Sequence, residues 1–182
     1  MNKKRIFISS TMNDLERERE AVATAIDNFS ALESVRAESV PARNETPREL
    51  CLGLVRDCDI YVGIFKNRYG YVPKENNPEK NSVVVLEYKE AKKNGIPILI
   101  FIYGNAENRE EALKRFLEEI TDFSRGHWRK EYFDMVDLTG KVIDAIVTTI
   151  SNGYTINREN KKKSVYDLPF FVDIQRRLDE VR

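Results

Sequence analysis

Ile6-Phe7-Ile8-Ser9-Ser10-Thr11-Met12-Asn13-Asp14-Leu15-Glu16-Arg17-Glu18-Arg19 is the stretch that decides the architecture. Three apolar residues run into three small hydroxyl-bearing ones. A charged series with helical spacing then begins. An apolar run that ends in a polar turn and a helix start is the opening of a β-α unit. In an open α/β sheet, ligands bind beyond the carboxyl ends of the strands. The stretch therefore predicts a site as well as a fold.

Working outward, the unit recurs. Residues 5–9 are the first strand, and the helix after it runs over about 13–29, with Leu15, Val22, Ile26 and Phe29 on one stripe. Residues 34–38 form a second strand. Thr46-Pro47-Arg48-Glu49 joins a capping-box pattern to a proline at the first helical position, and Leu50, Leu54 and Val55 give this second helix its buried face. Residues 59–65 are apolar almost throughout, as a strand covered on both faces must be. A polar loop fills 66–81, Ser82 opens a third helix that ends at Asn94-Gly95, and 96–103 is a fourth strand. Leu113, Phe116, Leu117 and Ile120 mark a fourth helix. Residues 132–136 read as a fifth strand; Thr139 opens a fifth helix, with Val142, Ile143, Ile146, Val147 and Ile150 inside and Asn152-Gly153 as its end signal.

Five such units predict a parallel sheet covered by helices on both faces. The expected architecture is a flavodoxin-like three-layer α/β sandwich with strand order 2-1-3-4-5, in which strands one and three diverge at the switch point. Residues 1–153 are expected to form this domain. Residues 154–182 read as a charged linker and a short amphipathic helix carrying Phe171, Ile174, Leu178 and Val181.

The chain has 182 residues, with 30 basic and 30 acidic side chains. That balance gives no global pull toward nucleic acid or an anionic membrane, so neither is an expected partner. No apolar stretch approaches the roughly 20 residues of a spanning helix. Cys51 and Cys58 read as reduced core thiols, which points to a cytoplasmic protein. His127, the only histidine, reads as a packing residue, and one histidine with two scattered cysteines does not make a metal site.

Several short motifs recur in a recognisable order: Ile8-Ser9-Ser10-Thr11, Asp14-Leu15, Glu18-Arg19, Cys51, Asp59-Ile60-Tyr61-Val62, Arg68-Tyr69-Gly70, Glu87-Tyr88 and Glu90-Ala91. Together they resemble the TIR-related family known as domain of unknown function 4062, over roughly residues 4–103. The resemblance implies a TIR-like form of the flavodoxin-like fold. It also implies a kinship with catalytic TIR domains and nucleoside deoxyribosyltransferases, which carry a catalytic glutamate on the helix after the third strand. The matching position is Glu87. The chain departs from the transferases, which usually have aspartate and glycine just ahead of this helix, where Lys80-Asn81 stand here. It also lacks the tryptophan that TIR enzymes often have near the glutamate, its only tryptophan being the distant Trp128.

At a switch point, Ser9, Ser10 and Thr11 with the first amides of helix one suit a phosphate. Asn67, Arg68, Tyr69 and Gly70 leave the third strand toward the same place. There Arg68 has the planar fork to grip a pyrophosphate, and Tyr69 the ring to stack on a base or ribose. Glu87 then approaches from the third helix, and Glu38 at the end of the second strand is a second carboxylate. Each residue has a plainer alternative. The hydroxyls also serve as helix caps, Arg68 and Tyr69 as loop braces, and Glu87 as a solvated partner of Lys89 or Lys93.

The expected function is a nucleotide-recognition domain that cleaves, or descends from domains that cleave, the nicotinamide–ribose bond of NAD in defence or stress signalling. NAD enters as substrate, and no cofactor is required. The oxocarbenium-like transition state needs an anion beside it, and nicotinamide leaves as a neutral ring that needs no acid. One rival is a non-catalytic module that signals through homotypic contacts with further copies or a signalling partner. Another is a nucleoside or nucleotide-sugar hydrolase or transferase. A cleft holding Glu87 beside Ser10 and Arg68 favours an enzyme; a sealed cleft, or Glu87 in bulk water, favours the scaffold.

Overall fold

A computed structural model describes residues 3–156 of the chain. Its first strand, β1 (Lys4–Ser9), is buried from Ile6 onward because it has parallel neighbours on both edges. The others are β2 (Leu32–Val35), β3 (Ile60–Phe65), β4 (Ile98–Tyr103) and β5 (Arg129–Tyr132). They pair in parallel in the order β2-β1-β3-β4-β5, which is the expected 2-1-3-4-5 topology.

Helices α1 (Met12–Asp27) and α5 (Met135–Ile156) cover one face of the sheet. Helices α2 (Pro47–Arg56), α3 (Val83–Lys93) and α4 (Glu111–Ile120) cover the other. Successive strand side chains point to opposite faces. Ile6, Ile8, Val62 and Ile64 therefore pack with Val22 and Ile26 of α1 and Val142 and Ile146 of α5. Phe7, Tyr61 and Phe65 pack with Val55, Val85, Tyr88 and Phe116. Each such fully buried side chain contributes about 1.5–3 kcal/mol relative to exposure. The capping box on α2 forms as its sequence predicts: the Glu49 amide donates to Thr46 Oγ1 (3.2 Å) and the Thr46 amide to Glu49 Oε2 (3.1 Å).

Four boundaries differ from the sequence reading. β2 ends at Val35, so Glu38 lies in a 3₁₀ turn (Ala37–Ser39) rather than in a strand; the Ser39 and Val40 amides bond back to the Arg36 and Ala37 carbonyls. β5 ends at Tyr132, and α5 opens at Met135, not Thr139. Phe133, Met135 and Val136 are apolar but exposed, and the Asp137 amide is capped by Asp134 Oδ1 (2.8 Å). Asn152-Gly153 does not end α5, which continues through both residues. Residues 157–182, with the linker and amphipathic helix expected there, lie outside the described residues.

Gly63 positions the site from below. It pairs with Ser9 across the sheet, and a Cβ added there would lie 2.9 Å from Phe65 Cε2 and 3.1 Å from Tyr61 Cε1. Those rings are fixed by edge-on contacts with Phe116 and Tyr88. Gly63→Ala is expected to cost about 1–3 kcal/mol through overpacking, read as a lower denaturant midpoint at unchanged slope. A neutral result would mean the rings have room to turn aside.

Candidate functional site

β1 delivers its hydroxyl residues to the carboxyl end of the sheet, and α3 lays Glu87 over them. Ser9 is 1% exposed and donates to Glu87 Oε2 at 2.5 Å. Glu87 is 6% exposed, so it is a buried carboxylate and not the solvated partner of a lysine; Lys89 pairs with Glu79 instead. Burial raises its pKa from the ordinary 4.5 to about 7, while the Ser9 hydrogen bond and the Arg19 charge hold it down. The Cys51 thiol on α2, which lines the same site, lowers it a little further. The thiol is itself pushed up to about 11, first by burial and then by the Glu87 and Glu38 charges. It is a neutral thiol here, not a thiolate nucleophile.

Arg19 organises the other wall. It is 6% exposed and reaches back from α1 under the β1 turn. Its Nη1 donates to the Ile8 carbonyl (3.2 Å) and to Ser10 Oγ (3.1 Å). Its Nε and Nη2 hold Glu38 Oε1 (3.0 and 2.7 Å), and Nη2 also reaches Oε2 (2.8 Å). Through this ion pair Arg19 ties the 3₁₀ turn after β2 to the β1 turn. Cys58, by contrast, is a buried free thiol of the core, and Cys51 is free and half-buried.

Between these walls lies an open cleft of about 480 Å³. Of the residues expected from sequence, Ser10, Thr11, Glu38, Arg68, Gly70 and Glu87 line it. Ser9 lies just beneath, bonded to Glu87. Asn67 and Tyr69 are not in the lining. The Asn67 carbonyl accepts from the Glu110 amide, the Tyr69 amide donates to Glu110 Oε2 (2.8 Å), and the Tyr69 ring packs on the core. Gly70 makes the difference: at φ +94 it takes a left-handed conformation that turns the loop, and a Cβ there would come within 3.0 Å of Thr11 Cγ2. The next residue, Tyr71, is thereby carried to the mouth of the cleft, 74% exposed, close to the exposed Met12. The guanidinium of Arg68 is half-exposed and lies 3.9 Å from Glu110.

The helix ends at the site also differ from simple caps. Thr11 is the N-cap of α1, but its hydroxyl bonds the Asp14 side chain, not a backbone amide. Ser82 occupies the N-cap of α3, yet its buried hydroxyl has no partner among the described residues. His127 bonds the Tyr88 hydroxyl (3.1 Å) and packs edge-on against its ring, well away from the cleft, as a packing residue does.

Sequence reasoning missed Arg19, Cys51, Tyr71 and Glu110 as members of the site. A signal for Arg19 existed: it falls on the α1 stripe with Leu15, Val22 and Ile26, and a charge on an apolar stripe demands a buried partner.

In chemical terms the cleft offers a carboxyl group that changes charge near neutrality, a salt-bridged carboxylate, hydroxyls, one half-exposed guanidinium and an exposed aromatic ring. No helix among the described residues is long and apolar enough to cross a membrane.

Among solved structures, the chain is similar to a Clostridium botulinum CMP N-glycosidase, BcmB, at 18% identity and a TM-score of 0.47, with 76% of this chain and 97% of that one covered. Among curated proteins it is similar to telomerase protein component 1 of Rattus norvegicus and of Mus musculus. Each is 33% identical over an 87-residue alignment that takes in 38% of this chain. The chain spans only 3% of the length of those two relatives. A family model matches residues 5–147, from β1 into α5, and by that match the chain belongs to the family described as domain of unknown function (DUF4062).

Proposed function

We propose that the cleft binds a nucleotide and that Glu87 acts on its N-glycosidic bond, with NAD as the first substrate to test. The observation that carries this reading is the buried Glu87 carboxyl, poised near pH 7 and lining an open cleft beside Ser10 and Arg68. A carboxyl group poised near the working pH is suited to general acid–base or electrostatic work. The cleft's volume falls within the usual range for small-ligand sites.

In the proposed step the bond between the anomeric carbon and the base breaks, and its electron pair leaves with the base: nicotinamide departs neutral, and the base of a nucleoside monophosphate takes up a proton from solvent as it leaves. Ionised Glu87 stabilises the positive charge that develops on the ribose. Water then adds to the anomeric carbon and gives its proton to Glu87, which passes it to solvent. Ser9 holds the carboxylate in place. Arg68 is the group to meet a phosphate, and Tyr71, rather than Tyr69, offers the base a ring. A non-catalytic homotypic module is the second reading; it draws on Phe123 and Trp128, which stand exposed after α4. The open cleft around Glu87 favours the enzyme.

Concentrated protein incubated with NAD, and separately with nucleoside 5′-monophosphates, is expected to release free base, followed by chromatography. Because the ionised carboxylate is the working form, the rate is expected to rise with pH through about 7 and then level off. No base release at any pH, including from highly concentrated protein, contradicts the reading.

A further inference from the structure

Glu38 has a carboxylate oxygen to spare. Oε1 accepts two hydrogen bonds from Arg19, but Oε2 accepts only Nη2 among the described residues. A carboxylate has about four acceptor sites, so at least one remains on Oε2. The Glu38 side chain is 31% exposed, and it lines the cleft. Its orientation is not left to chance: Arg19 grips it with two nitrogens and is itself bonded to Ile8 and Ser10. Such a preset, charged acceptor is matched by a ligand with hydroxyl donors. The cleft's buried carboxylate, Glu87, already receives Ser9. Glu38, Cys51 and Glu87 line the same cleft.

We propose that Glu38 is the specificity-determining acceptor for the ribose 2′- and 3′-hydroxyls, so that the cleft selects ribonucleotides over 2′-deoxyribonucleotides. This rests on the nucleotide-binding reading above and names the sugar class that the site takes. Arg19 is a positioning residue in this scheme: it holds the acceptor still and touches no substrate. A site built to accept a substrate hydroxyl rejects the analogue that lacks it, because the charged acceptor is then left without its donor.

The test measures binding, so it is independent of turnover. The Glu87→Gln chain is titrated by calorimetry with AMP and CMP and with their 2′-deoxy counterparts. The ribonucleotides are expected to bind about 10- to 100-fold more tightly. In the Glu87→Gln/Glu38→Gln chain the two affinities are expected to fall within about threefold of each other. The comparison on Glu87→Gln alone stands even if the second substitution disturbs folding. Equal affinities for ribo and deoxy ligands overturn the proposal, and leave the catalytic reading intact if the wild type still releases base. A ribose preference without base release by the wild type supports the proposal and sinks the catalytic reading. No binding of any of these ligands overturns both.

Discussion

Replacing Glu87 by glutamine is expected to lower base release by about 10³-fold or more while making the protein harder to unfold at about pH 8. The two effects have one cause. Burial keeps the Glu87 carboxyl neutral up to about pH 7 in the fold, against an ordinary value of 4.5. Below the unfolded value both states carry the proton, and the carboxyl costs nothing. Between the two values the unfolded chain gives up its proton while the fold keeps it, so stability falls steadily, and the loss is complete once pH has risen through the folded value. The rise from 4.5 to about 7 corresponds to about 3 kcal/mol. Glutamine has the same shape, takes the same Ser9 hydrogen bond and never ionises. Denaturant midpoints are therefore expected to coincide near about pH 4, to separate in favour of the variant as pH rises from about 4.5 to about 7, and to keep a constant gap above that. Equal midpoints at both extremes would mean that Glu87 titrates as an ordinary carboxylate, and the site would lose its poised group.

The second large effect is expected at Arg19. Arg19→Met leaves Glu38 without its ion-pair partner and strips the Ile8 carbonyl and Ser10 of a donor. Losing the charge-assisted hydrogen bonds of this partly buried pair costs about 1.5–3 kcal/mol, since Glu38 keeps contact with water. Lysine is not a substitute, because the contacts use three nitrogens of a planar fork. Arg19→Met/Glu38→Leu, which removes both charges together, is expected to recover most of the loss, since an apolar replacement of a whole pair is often neutral. Chemical denaturation of the two variants decides this. A loss under about 1 kcal/mol in the single variant would mean that the ion pair is not what shapes the cleft. The substitution also removes the charge that restrains Glu87, so the Glu87 titration is expected to move to higher pH in any variant that folds.

Much of the fold is legible because its signals are local. The apolar run into Ser9-Ser10-Thr11 marks β1 and its turn, Thr46 and Glu49 mark α2, and β3 is apolar throughout. Glu87 is legible only through the resemblance, which implies a catalytic glutamate on the helix after β3. The errors arise where the cause is distant. Glu38 lies not in a strand but in a 3₁₀ turn, where its carboxylate meets Arg19 of α1. Tyr69 looks like the natural aromatic of the site, but the left-handed Gly70 sends Tyr71 there instead. Val136 reads as strand because it is apolar and β-branched, yet it is 82% exposed on the first turn of α5. Local patterns place the elements; the long-range ion pair and one backbone reversal decide which side chains share the cleft.

A crystal structure of the Glu87→Gln chain with an intact bound ribonucleotide tests the central claim most directly. The account predicts the anomeric carbon against residue 87, the ribose hydroxyls at Glu38 and the phosphate toward Arg68. A nucleotide bound elsewhere, or seated with its glycosidic bond turned away from residue 87, would contradict it.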